Sequence, residues 1–217
     1  MQVINLSEEC SLLNVYVAEL RHTEIQKDRL RFRRNLERLG EIMAYEISKT
    51  LRYDCFDVPT PLGTAKEQLF TDEIVLATIL RAGLPFHQGF VNYMDRSENA
   101  FVSAYRKYKD RLQFDVHVEY IASPSLEGKT LIITDPMLAT GSSMELGYKA
   151  LLTKGTPAHI HIASIISSRC ALDYLQKILP EDCTVWVAAL DPEIDDHSYI
   201  VPGLGDAGDL AFGTKLD

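Results

Sequence analysis

The 217-residue chain is poor in the features of a secreted or membrane-embedded protein. Its four cysteines, Cys10, Cys55, Cys170 and Cys183, are scattered and form no C-x-x-C pair, so reduced thiols in a cytoplasmic protein are the simplest account. No apolar run is long enough to span a bilayer, and the opening MQVINLSEEC lacks the basic start and apolar stretch of a signal peptide. Positive charge is scarce: 22 Lys and Arg stand against 31 Asp and Glu, a net −9, which argues against a general nucleic-acid binder. Gly-Lys-Ser/Thr is absent, which removes the P-loop NTPases. A G-x-G-x-x-G match runs from Gly203 to Gly208, but it lies too near the C-terminus to open a βαβ dinucleotide unit. No Ser-His or Cys-His constellation is apparent, and no repeat, low-complexity segment or linker interrupts the chain.

What is present is an ordinary globular composition, 46% hydrophobic and 24% charged, with ample length for one core. The most informative stretch is LIITDPMLATGSSMELG, residues 131–147. Leu131 to Thr134 reads as a buried parallel strand, which Asp135-Pro136 stops because Pro136 has no N–H for the ladder. Ala139 to Ser143 is small and polar, with Gly141 at the turn. From Ser143 the apolar spacing becomes helical. Strand, small-residue loop and helix start make an anion cradle: loop N–H groups and the hydroxyls of Thr140, Ser142 and Ser143 donate, and the helix dipole favours negative charge. A carboxylate at Asp135 suits the hydroxyls of a sugar carrying that phosphate. An ordinary strand–loop–helix corner is the alternative.

In chain order, residues 8–20 carry a helical stripe. A longer helix is expected from about Thr23 to Thr50, with Phe32, Leu36, Leu39, Met43 and Ile47 on its apolar face. Its basic first half, Arg29, Arg31, Arg33, Arg34 and Arg38, is either an anion or effector site or, preferably, a solvated face with i,i+4 pairs. Residues 53–61 read as extended and end in Pro59 and Pro61. Ile74 to Leu80 repeats the strand–turn–helix architecture, and Arg81 falls at the carboxyl end of the strand, the usual ligand edge of an open α/β sheet. A guanidinium there suits a phosphate or pyrophosphate fork; pairing with a local acid is the alternative. Phe101–Tyr108 and Asp115–Ile121 read as an antiparallel arm, with Arg106 near its tip. Ala158–Ser164 and Thr184–Leu190 are further strands, with a helix over 168–179 between them. His159 and His161 share a strand face, where packed histidines are favoured over a metal pair. The tail from Asp191 to Asp217 is glycine-rich yet carries Tyr199, Ile200, Val201, Leu204 and Phe212. That pattern suits a loop offering backbone groups to a flat polar ring rather than a disordered end.

Three segments together resemble a family: Ile79-Leu80-Arg81-Ala82-Gly83-Leu84, Asp135-Pro136-Met137-Leu138-Ala139-Thr140-Gly141, and YIVPGLGDAGD with Phe212-Gly213-Thr214-Lys215. They are similar to the uracil phosphoribosyltransferases, within the type I phosphoribosyltransferase superfamily, and the similarity runs over nearly the whole chain. The resemblance implies an α/β fold: a central, mostly parallel sheet with helices on both faces, an antiparallel β-arm and a hood from the N- and C-terminal segments. It implies one domain, with N-terminal helices at about 8–51, a core at about 70–190 and a uracil-binding hood segment at about 191–217. The implied reaction transfers phosphoribosyl from phosphoribosyl pyrophosphate (PRPP) to uracil, giving UMP and pyrophosphate. Mg²⁺ would arrive on PRPP rather than in a protein metal site.

Carried onto this chain, the PRPP residues would be Arg81, Arg106, Asp135, Pro136, Met137, Leu138, Ala139, Thr140, Gly141, Ser142, Ser143 and Asp206. The uracil residues would be Ile200, Gly205, Asp206 and Ala207, and the catalytic ones Asp206, Arg106 and Arg81. Family members also imply a GTP effector and a homodimer or larger homo-oligomer, with no nucleic acid or membrane partner. Two positions depart from the family pattern. Ser142 stands where a second glycine is usual and would weaken PRPP binding if that position needed positive φ or a very close approach of the phosphate. Lys107, Tyr108 and Lys109 follow Arg106 where acids are usual. The competing expectation is a regulator of the same fold that senses nucleotides or PRPP and binds RNA through Arg29 to Arg38.

Overall fold

The computed structural model describes residues 1–110 and 113–215, with the side chains of residues 104–119 outside the described part. In chain order the elements are β1 (Gln2–Asn5), α1 (Leu12–Arg21), α2 (Arg29–Ser48), β2 (Tyr53–Thr60), β3 (Gly63–Phe70), β4 (Ile74–Ile79), α3 (Gly83–Tyr93), β5 (Glu98–Asp110), β6 (Gln113–Ala122), β7 (Thr130–Thr134), β8 (Met137–Leu138), α4 (Ser142–Leu151), β9 (His159–Ser168), α5 (Arg169–Leu175), β10 (Thr184–Asp191), β11 (Glu193–Ile194), β12 (Ile200–Val201) and α6 (Ala207–Phe212). The main sheet has the order β1-β10-β9-β7-β4-β5-β6, with β8 pairing β9. All its pairs are parallel except β5 with β6.

Side-chain alternation along the central strands divides the core in two. Ile74, Leu76, Ile132 and Trp186 face α1, α2 and α3, where Leu13, Phe32, Leu36, Phe86 and Phe90 fill the layer. Val75, Ala77, Leu131, Ile133 and Val185 face α4 and α5, against Met144, Leu151, Leu172 and Leu175. Every residue of β4 and of β7 is buried. Strands covered on both faces read as continuous apolar runs, and these two were legible for that reason. The expected α/β fold with a mostly parallel sheet and helices on both faces is therefore the fold observed.

Several boundaries differ from expectation. The long helix expected from Thr23 begins at Arg29, because Asp28 caps it by accepting from the Leu30 and Arg31 N–H groups at 2.9 and 3.1 Å. Residues 53–61 are one half of a hairpin in which β2 and β3 pair in register from Tyr53↔Phe70 to Thr60↔Gly63. Pro59 lies inside β2, on a two-stranded ribbon that is all edge and so tolerates its missing N–H. The helix expected over 168–179 is shorter, Arg169–Leu175, and the tail, expected as loop, contains α6. His161 is buried and its Nδ1 accepts from Trp186 Nε1 at 3.3 Å, the packed reading. No cluster of three or more potential metal ligands occurs among the described residues.

In the basic start of α2, Arg29, Arg31 and Arg34 are exposed and Arg33 and Arg38 are half-buried, and four of the five make internal contacts. Arg31 forms a two-bond fork on Glu19, Arg34 pairs with Glu37 three residues on, and Arg33 donates to the Ala211 carbonyl at 2.8 Å. Arg38 reaches Asn35 and lies over the Tyr16 ring, 5.2 Å from its centroid. These contacts tie α1, α2 and α6 together.

Candidate active site

The segments singled out in sequence leave the carboxyl ends of parallel strands of the one sheet. Leu80-Arg81 follows β4, Asp135 follows β7, and the tail leaves β10. This edge of an open α/β sheet exposes loop backbone and helix starts to one side, where ligands bind. A cavity of about 570 Å³ opens there. Arg81, Asp135, Met137, Ala139, Ser143, Gly205, Asp206 and Ala207 all line it, so the strand-end loops and the tail face each other across one space. Pro136, Leu138, Gly141, Ser142 and Ile200 are buried behind that wall, with Thr140 half-buried beside them.

The loop expected to cradle an anion turns into α4 at Gly141. Gly141 precedes α4 with φ +80°, and Leu175, Tyr174 and the Ala171 carbonyl leave a side chain there only tight contacts. The N-cap Gly141 offers α4 no side-chain cap, while Thr140 Oγ1 bonds Ser142 Oγ at 2.7 Å and accepts from the Ser142 N–H at 3.4 Å. Uncapped amides at a helix start are the donors an anion would complete. Ser142 is the first helical residue, and among the described non-glycine residues only Ser198 has positive φ. The departure from glycine at 142 therefore carries no backbone penalty.

Two buried contacts, unread in the sequence, fix this loop. Ser168, the cap of α5, accepts from the Ala171 N–H at 2.9 Å and donates to the Ala139 carbonyl at 2.6 Å. The Pro136 carbonyl accepts from both Ile165 and Ile166 N–H groups at 3.1 and 3.0 Å. A serine just before a helical run was a readable capping signal; its second bond, across to position 139, was not.

Asp135 is half-buried in the cavity wall where the strand ends. Its Oδ1 accepts from the Met137 N–H at 3.4 Å, and burial pushes the carboxyl up from 3.8 to about 7. Arg81 is half-exposed and turned to the tail: Nη2 meets Asp209 Oδ1 at 3.1 Å and Nη1 meets the Gly213 carbonyl at 3.5 Å. Asp206 caps α6 by accepting from the Asp209 N–H at 2.9 Å. Arg81 and Asp206 thus converge on the same turn of α6. Ser103, Ser198, Tyr199 and Lys215 also line the cavity and are not among the site residues expected from sequence. Ser198 sits at φ +66° in a tight turn whose Asp195 Oδ1 accepts from the His197 and Tyr199 N–H groups. Arg106 lies in β5 opposite Val116; its side chain, and those of Lys107, Tyr108 and Lys109, are outside the described residues.

Comparison with known proteins agrees with this geometry. A sequence model of the family "Uracil phosphoribosyltransferase" matches residues 8–214. A uracil phosphoribosyltransferase of Porphyromonas gingivalis is 68% identical over 216 residues, covering all of both chains. One of Methanothermobacter thermautotrophicus is 44% identical over 188 residues, 86% of this chain and 85% of that one. Among solved structures, the AQ2163 protein of Aquifex aeolicus superposes with a TM-score of 0.86 at 27% identity over the whole of both chains. A hypoxanthine phosphoribosyltransferase of Staphylococcus aureus shares the fold at TM-score 0.50 and 14% identity, over 73% of this chain and 74% of that one. With the family match spanning both the strand-end loops and the tail that close on one cavity, the chain belongs to the uracil phosphoribosyltransferase family.

Proposed function

We propose that this protein transfers the phosphoribosyl group of PRPP to uracil in pyrimidine salvage, giving UMP and pyrophosphate. The observation that carries the reading is the meeting of loop 135–143 with Gly205 to Ala207 across one cavity. A sugar phosphate and a base have to be held face to face there for a glycosidic bond to form.

In this account the loop amides and hydroxyls from Ala139 to Ser143 receive the 5′-phosphate, and Asp135 accepts hydrogen bonds from the ribose hydroxyls. Arg81, with Arg106 from the arm, holds the pyrophosphate. As the bond from the anomeric carbon to pyrophosphate oxygen breaks, positive charge grows on the ribose and negative charge on the leaving group. Preplaced guanidinium groups stabilise the latter, and the ring nitrogen N1 of uracil forms the new bond to the anomeric carbon as its own proton is released to solvent. Mg²⁺ bound to PRPP as part of the substrate would neutralise charge on its phosphates. Ile200, Gly205, Asp206 and Ala207 hold uracil mainly through backbone groups, with Asp206 also reaching PRPP. To reach pyrophosphate, Arg81 exchanges its contact with Asp209 for the substrate.

The proposal includes a cytoplasmic homodimer. Hairpin β2–β3 projects with Tyr53, Phe56, Leu62, Leu69 and Phe70 exposed, an apolar surface a second copy would cover. Light scattering tests it, and a monomer at micromolar concentration would sink it. A GTP effector rests on family likeness alone and is tested by adding GTP to the assay. For the reaction itself, uracil, cytosine, hypoxanthine and guanine are supplied side by side with PRPP and Mg²⁺. Uracil is expected to react alone or far ahead of the rest; preference for a purine would overturn the assignment.

A further inference from the structure

The stretch of tail before α6, read above as the base site, is fastened at Gly203. Arg21, the last residue of α1, sends its guanidinium across to Asp191 at the end of β10. Nη1 and Nη2 each donate to one carboxylate oxygen at 2.7 Å. The same Nη1 donates to the Gly203 carbonyl at 3.0 Å, and Asp191 Oδ2 accepts from the Gly203 N–H at 2.9 Å. Both backbone polar groups of Gly203 are therefore held by one ion pair, whose carboxylate side is buried at 5% exposure. Gly203 stands between Ile200 and Gly205, and its position has no slack: at φ +54°, a side-chain carbon would lie 2.0 Å from the Ile200 carbonyl oxygen.

We infer that Arg21 and Asp191 are positioning residues for the pyrimidine base. They touch no substrate. They fix the height of a backbone loop whose N–H and C=O groups have to meet the edge of a flat ring within hydrogen-bonding tolerance. The phosphate loop has separate supports, Ser168 and the Pro136 carbonyl, so loosening the pair should disturb uracil far more than PRPP, which meets this part of the tail only through Asp206. Helix α1 thereby gains a role beyond its apolar stripe: its last residue sets the base pocket. This inference rests on the reading of the tail as the uracil site.

Steady-state kinetics on the full chain test it, varying uracil and PRPP separately for wild type, Arg21→Lys and Asp191→Asn. Lysine keeps the charge but not the two-bond fork, and asparagine keeps an acceptor for Gly203 but not the ion pair. Each is expected to raise KM for uracil about tenfold, with kcat and the KM for PRPP held within about twofold. The double variant should be little worse than either single one, since the two residues act as a unit. An unchanged KM for uracil, or an equal rise in both KM values, would overturn the inference. Failure of the wild type to convert uracil would instead overturn the functional reading.

Discussion

Replacing Asp135 by asparagine should make the unliganded protein more stable at pH 8 and a worse enzyme. The carboxyl titrates near 3.8 when unfolded and at about 7 when folded, because burial disfavours its charged form. Between those values the folded state keeps a proton that the unfolded chain has released. Stability therefore falls as pH rises from 3.8 to about 7 and is level above it. The gap corresponds to roughly 4 kcal/mol; the open mouth of the cavity screens part of this, so about 2–4 kcal/mol is expected. Asparagine preserves shape and the acceptor for the Met137 N–H but has no charge to bury. In thermal unfolding, Asp135→Asn should melt about 5–10 °C above wild type at pH 8 and level with it near pH 4. The binding side has the opposite sign. Ribose hydroxyls stabilise the ionised carboxylate, so kcat/KM for PRPP should rise with pH through about 7 in wild type and lose that limb in the variant. A melting difference independent of pH, or none at pH 8, would refute the argument that this carboxyl is held at a cost to stability for the sake of its ligand.

Other outcomes follow from the loop supports. Gly203→Ala drives a side-chain carbon into the Ile200 carbonyl and should cost about 2–4 kcal/mol in denaturant unfolding, with uracil turnover lost. Ser168→Ala removes the α5 cap and the bond to Ala139, and should cost about 1–2 kcal/mol while raising KM for PRPP more than KM for uracil. Ser142→Gly, which restores the family residue, should not improve KM for PRPP, because the position is already helical. It should lower stability by about 0.5–1 kcal/mol instead.

The parts of the site that were legible in sequence are those written in local chemistry. Leu131 to Thr134 and Ile74 to Ile79 are buried on both faces, so their apolar runs announced parallel strands. A glycine at φ +80° before α4 and a carboxylate at the strand end then followed from position alone. What stayed hidden depends on distant partners. Arg21 and Asp191 are 170 residues apart and carry no local pattern. Ser168 shows its cap but not its reach to Ala139. The tail looked like loop because Gly203, Gly205 and Gly208 outweigh the short apolar spacing of α6, which is held in place by the Asp206 cap and by Arg33 on the Ala211 carbonyl. The start of α2 was misplaced by six residues because helical spacing continues through the turn at Ile25–Lys27, and only the Asp28 cap marks the break.

The most direct test of the central claim is UMP formation from uracil and PRPP with Mg²⁺, for wild type beside Arg81→Ala and Asp206→Ala. The account predicts robust turnover in wild type. Arg81→Ala should lose about a hundredfold or more in kcat, because the leaving pyrophosphate would lack its guanidinium, and Asp206→Ala should lose activity through the base loop and PRPP together. Folded wild-type protein that makes no UMP, with or without GTP, would contradict the account and leave a binding protein built on the same fold.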